Sequence, residues 1–204
     1  MKLEKVTIIA CMLTILTLSV SHVSAENLLI NGDFETGDLT GWETAGISAS
    51  STITVQAGDN GPFLPGNNNA FLSNEAEALG LLLKQTTVNG TAIAGQVDYS
   101  FDLKLDQAEI GGVLFAQIFA EQEGVGIIGG SGLMGPFWSW NNWTTVTGSF
   151  VAPANTTFMT IQFVATTGAA IGTNCIAHVD NVVLDQGTVA SEYTSWSGVK
   201  ALFR

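Results

Sequence analysis

Residues 98–105 alternate without a break. Tyr99, Phe101, Leu103 and Leu105 fall on one side, and Asp98, Ser100, Asp102 and Lys104 on the other. A period of two is the signature of a strand with one dry and one wet face. Helical periodicity is nearly absent from the rest of the chain. Short apolar or alternating runs recur at 27–30, 47–55, 79–88, 113–120, 144–151, 157–165 and 174–184, separated by clusters of Gly, Asn, Pro or Asp. About eight antiparallel strands with no intervening helices predict an all-β sandwich or jelly roll.

The N-terminus is of a different kind. Lys2 and Lys5 precede an apolar run over 6–20, and Val23, Ser24 and Ala25 supply small residues for a peptidase, so residues 1–25 read as a signal peptide. The run is shorter than the roughly 20 residues of a spanning helix, so no membrane insertion is expected after cleavage. Cys175 is then the only cysteine left, in an apolar run. It reads as a buried small hydrophobe, and an exported domain with no disulfide needs a large core, a metal, or both. The chain carries a net charge of −12, which excludes nucleic acid and anionic lipid as partners and leaves neutral ligands and cations. From 124 to 179 there is no Asp, Glu, Lys or Arg. That neutral stretch suits buried strands and argues against a catalytic pair of carboxylates in this half.

Two segments read as loops. Residues 58–69 are rich in Gly, Pro and Asn. Residues 124–142 hold six glycines before Pro136, then Phe137, Trp138, Trp140, Asn141 and Asn142. The segment 185–204 reads as a polar linker and a short tail, either loosely ordered or a tag for a surface partner.

Three blocks carry a family resemblance. The first is Asn31-Gly32-Asp33-Phe34-Glu35-Thr36-Gly37 with Gly41-Trp42; the second is Tyr99 to Lys104; the third is Trp143-Thr144-Thr145 through Phe150 with Pro153, closing on His178-Val179-Asp180-Asn181-Val182-Val183-Leu184. Over residues 26–184 the chain resembles the exported CenC-type carbohydrate-binding modules, which have a galactose-binding-like jelly roll. The resemblance implies that the first and last strands lie side by side and grip a structural calcium ion. Glu35 and Asp180 would supply carboxylates, helped by Asp33 and a carbonyl such as that of Gly37. Where the family usually has a second acid before the closing valine, this chain has Asn181, which removes one charge from such a site. Trp42 and Trp143 are expected in the core.

A poly- or oligosaccharide partner follows from the same resemblance and from side-chain chemistry. Sugar rings stack on aromatic faces while amides and carboxylates bond the hydroxyls. Trp138, Trp140 and Asn141 have that chemistry, with packing at the end of the sandwich as the competing role for the two tryptophans. Gln117 faces the same way as Val113, Phe115 and Phe119, and Asp102 lies on the wet face of its strand. Enzymatic signals are weak. The letters Gly124-x-Gly126-x-x-Gly129 match a dinucleotide fingerprint but are followed by more glycine and a proline instead of a helix. His178 has no partners for a zinc site or a triad, and acid pairs such as Glu121 and Glu123 are equally well solvated acids as a glycosidase pair. The sequence thus predicts a non-catalytic binding protein, with a structural or adhesive surface protein as the alternative and a glycoside hydrolase behind both.

Overall fold

The computed structural model describes residues 27–58, 68–138 and 141–187. Residues 1–26, where a signal peptide is expected, Ser139, Trp140, the segment from 188 onward and most of the 58–69 connection lie outside the described residues. Among them the chain forms ten strands and no helix: β1 (Glu43–Ala45), β2 (Ser51–Ala57), β3 (Asn68–Asn74), β4 (Gly80–Thr86), β5 (Gly95–Glu109), β6 (Val113–Gln122), β7 (Gly126–Phe137), β8 (Thr144–Ala152), β9 (Phe158–Thr166) and β10 (Asn174–Asp185). They pair antiparallel in two five-stranded sheets, ordered β1-β4-β9-β6-β7 and β2-β3-β10-β5-β8. The all-β sandwich expected from the alternation is the observed architecture.

The core lies between the sheets and is built by that alternation. Leu114, Ala116, Ile118 and Ala120 of β6 and, beside them in the same sheet, Ile161, Phe163 and Ala165 of β9 point inward toward Phe101, Leu103 and Leu105 of β5, all buried. Phe101 and Phe163 meet edge to face at 5.1 Å. Cys175 is buried among these side chains, and burial pushes its thiol up to about 12.

Three elements differ from the sequence reading. Residues 126–137 are not a loop: they are strand β7, paired with β6 through three register shifts. Glycine makes this possible, because a Cβ on Gly130 would stand 2.1 Å from the Ile118 carbonyl oxygen and one on Gly129 2.6 Å from Pro153. The Asn-rich run opens strand β3 instead of ending a loop. Residues 27–30 form one bridge, Asn27 to Asp185, and then bend. There the Asn27 side chain replaces a ladder: its Nδ2 donates to the Val182 carbonyl, and its Oδ1 accepts from Leu29 and Leu184 N–H.

Candidate functional site

The outer faces of the two sheets differ in kind. On the β1-β4-β9-β6-β7 sheet the outward residues of β6 are Val113, Phe115, Gln117 and Phe119, all half-buried. Gln117 stands opposite Gln162 of β9, Gln162 opposite Lys84 of β4, and Lys84 opposite Glu43 of β1. A polar row therefore crosses four strands and ends in the Lys84–Glu43 ion pair at 3.1 Å. Phe115 with Val164 and Leu82 forms the apolar row on one side. On the other side Phe119 lies opposite Thr160, which shares a hydrogen bond of 2.9 Å with Thr86 and donates another to the Glu121 carboxylate. On β7, Leu133 extends the polar row with an exposed aliphatic group. Amides and hydroxyls interleaved with phenyl rings on an accessible face can bond hydroxyls and cover an apolar ring face at once.

The structure places Trp138 just after β7, beside the start of β6, since Phe137 pairs with Leu114. Trp138 is 57% exposed, so among the two roles left open for it, packing into the sandwich is not what the structure shows. Asn141 is exposed on the approach to β8, in the other sheet. Of the five ligand residues expected from sequence, Trp140 lies outside the described residues and the other four do not converge: Gln117 and Trp138 belong to one sheet, and Asn141 and Asp102 to the other.

Asp102 is a correction. It points outward on β5, yet it is only 3% exposed and both its oxygens are engaged, one by Thr145 Oγ1 at 2.5 Å and the other by Asn181 Nδ2 at 2.8 Å. Asp102 is therefore not free to meet a sugar. Trp143 is half-buried outside the sheet, 5.9 Å from the His178 ring, instead of sitting in the core. Beneath it His178 bonds Asn69 at 2.8 Å and Asp106 at 3.0 Å, and Asp106 also holds Lys104 at 2.8 Å. Burial acts to raise the Asp106 carboxyl, but the hydrogen bonds and positive charge of Lys104 and His178 outweigh it and hold the group below its ordinary value. Trp42, by contrast, is buried as expected, packed on Phe34 at 5.2 Å with its Nε1 donating to the Asn31 carbonyl.

The acidic junction of the two ends of the domain is the second site. Leu28 N–H donates to the Leu184 carbonyl and Val182 N–H to the Gly32 carbonyl, so the opening segment lies along the end of β10. Asp180 there is fully buried; its Oδ1 accepts the Asn181 N–H at 2.7 Å, while its Oδ2 has no hydrogen-bond partner among the described residues. Burial first, then the negative charges of Asp102, Glu35 and Asp33, push the Asp180 carboxyl up to about 7. Glu35 reaches across to accept the Asn68 N–H of β3, and Asp33 accepts the Glu35 N–H. Gly37, at φ +78°, turns the exposed segment, and its N–H donates to the Phe34 carbonyl. Asn181 explains its own presence: it sits at a register shift with φ +50° and donates to two carboxylates, where an aspartate would add a third charge. An orphaned carboxylate oxygen with acids around it is the donor chemistry of a hard cation. Among the described residues no three His, Cys, Asp or Glu side chains close into a metal cluster by themselves, so such an ion would draw on main-chain carbonyls as well.

Sequence reasoning did not single out Gln162 or Lys84, and it named Phe119 only as facing the same way as Gln117. Their signal was present in the alternation of β4, β6 and β9, but which strands adjoin is a property of the topology.

No family model and no curated protein matches the chain at the sequence level. Solved structures do match in fold. The enzymatically active domain of tailspike protein 4 from bacteriophage CBA120 superposes with a TM-score of 0.61 at 15% identity, over 78% of this chain and 21% of that one. A family 61 carbohydrate-binding module, TmCBM61, in complex with β-1,4-galactotriose gives 0.54 at 15% identity over 79% of this chain and 99% of the module. A family 16 carbohydrate-binding module gives 0.51 at 15% identity over 78% of this chain and its own full length. At such identity the likeness is one of fold: this chain is a β-sandwich of the kind that those carbohydrate-binding modules also adopt.

Proposed function

We propose that this chain is an exported, non-catalytic carbohydrate-binding protein that holds a neutral poly- or oligosaccharide on the outer face of the β1-β4-β9-β6-β7 sheet. The observation that carries the reading is the polar row Gln117–Gln162–Lys84 set between Phe115 and Phe119, on a sandwich that matches whole carbohydrate-binding modules from end to end. One of those modules is complexed with a galacto-oligosaccharide. The amides would bond hydroxyls, the phenyl rings would cover apolar sugar faces, and Trp138, with Trp140 near it in sequence, would extend the platform. A net charge of −12 favours uncharged polymers over polyuronates. Calorimetric titration with soluble galactan, xylan, glucan and mannan tests this. Gln117→Ala is expected to weaken binding about tenfold, and Trp138→Ala with Trp140→Ala to abolish retention, both with unchanged melting. Equal affinity in all variants would place the ligand elsewhere.

A calcium ion at the junction is part of the same reading. Asp180 and Glu35 would hold it, with Asp33 and the Gly37 carbonyl in support, and it would neutralise acids gathered where the domain closes. No step of sugar binding is routed through it.

A second reading is favoured by one observation. The uncharged stretch supplies both edge strands on one side of the sandwich, β7 and β8, with Ile127, Leu133 and Val151 exposed. A surface-assembly or adhesive role would use that side. High mass in solution together with no retention on any polysaccharide would favour it.

A further inference from the structure

The outer face of the β1-β4-β9-β6-β7 sheet holds a hydrogen-bond relay beside its amide row. Phe119, Thr160 and Thr86 stand in register on β6, β9 and β4. Thr160 Oγ1 donates to the Glu121 carboxylate and shares a hydrogen bond of 2.9 Å with Thr86 Oγ1. Thr160 is buried and Glu121 half-buried, whereas Thr86 stands at the exposed end of β4.

Proton count fixes the direction of each bond in this relay. A carboxylate only accepts, and a threonine hydroxyl carries one proton. Thr160 gives its proton to Glu121, so Thr86 donates to Thr160. The Thr86 oxygen keeps free lone pairs but has no proton left, and a group that meets it from solvent has to donate. Gln117 and Gln162 impose no such direction, because an amide both donates and accepts. Lys84 lies two residues before Thr86 on the same side of β4, about 7 Å away. It is a donor only, and its ion pair with Glu43 leaves further N–H groups to offer. A donor-only group and an acceptor-only group thus stand side by side on one strand.

We propose that Glu121, acting through Thr160, is the positioning residue that makes Thr86 an obligate acceptor, and that the face thereby selects glycans with a free hydroxyl at this edge. The inference rests on the sugar-binding role proposed for the same face. One ring hydroxyl accepts from Lys84 while its neighbour donates to Thr86. Methylation or acylation of that neighbour removes the proton Thr86 requires and leaves the threonine oxygen without a partner. A site built to bond a hydroxyl rejects the analogue that lacks it.

Calorimetric titration of the full chain with soluble galactan, xylan, glucan and mannan, each native and partially O-methylated, tests this. The ratio of native to methylated affinity is expected to fall about tenfold in Thr160→Val and in Glu121→Ala, because each change frees the Thr86 proton to face the ligand. Thr160→Ser keeps the relay and retains the parental ratio. A role in packing alone would move both affinities together and leave the ratio where it was. A parental ratio in both Thr160→Val and Glu121→Ala overturns the relay while the sugar-binding role stands. Failure of the parent to bind any native polymer overturns that role and the relay with it.

Discussion

Asp180 gathers most of the electrostatic cost of this fold in one side chain. Its carboxyl is raised from 3.8 to about 7, so in ion-free protein the neutral form is the one the fold favours. The stability it contributes is present below the unfolded value and is lost as pH rises through the folded one. Relative to Asp180→Asn, the parent in chelator is expected to lose stability between about pH 4 and pH 7, by at most on the order of 4 kcal/mol. Urea melts of both proteins across that range measure it; a constant difference would mean that Asp180 is not strained. Gly32 makes the second prediction at this scale. A Cβ there would stand 2.1 Å from the Val182 carbonyl oxygen. Gly32→Ala should cost roughly 2–4 kcal/mol in chemical denaturation, because neither backbone can yield without breaking the Gly32–Val182 hydrogen bond; a neutral effect would show that this closure is loose. That the opening segment lies along the end of β10 was legible in the opening and closing blocks. The fate of Asp102 was not, because its two oxygens are taken by Thr145 and Asn181, both distant in sequence.

Among the elements, β7 is the one whose sequence misleads most. Its five glycines and a proline read as a loop, yet three register shifts turn that composition into an edge strand that bends along β6. Gly130→Ala should cost roughly 2 kcal/mol or more in the same assay, since Ile118 offers no room for a methyl group, whereas Gly124→Ala, with open space around it, should cost only its turn strain. Equal effects would contradict the bulged pairing. Strand β3 was hidden for a related reason. Its polar opening serves contacts outside the strand ladder, with the Asn68 N–H taken by Glu35 and the Asn69 side chain by His178. Period-two reading finds strands whose outer face meets water; it fails where that face is itself covered, or where glycine carries the bulges. The strands β5, β6, β9 and β10 were all legible, although the inward set of β10 changes phase at its bulge.

At the scale of the molecule, the two outer sheet faces carry different chemistry. That of the β2-β3-β10-β5-β8 sheet holds the polar cluster around His178 and adjoins the acidic junction. That of the β1-β4-β9-β6-β7 sheet presents the Gln117–Gln162–Lys84 row between its phenyl rings. If calcium neutralises the junction, added ion should raise the melting temperature of the parent and leave Asp180→Asn unmoved; an unchanged midpoint in the parent removes the ion from the account. Sequence pattern supplied the sandwich and Gln117, but the partners of Gln117 depend on β9 inserting between β4 and β6, which no local signal encodes. The measurement that bears most directly on the central claim is affinity electrophoresis of the chain through gels of neutral polysaccharides. Migration should be retarded in at least one of them and restored by Gln117→Ala with Phe119→Ala. Free migration of the parent through every gel would contradict a sugar-binding role for this face.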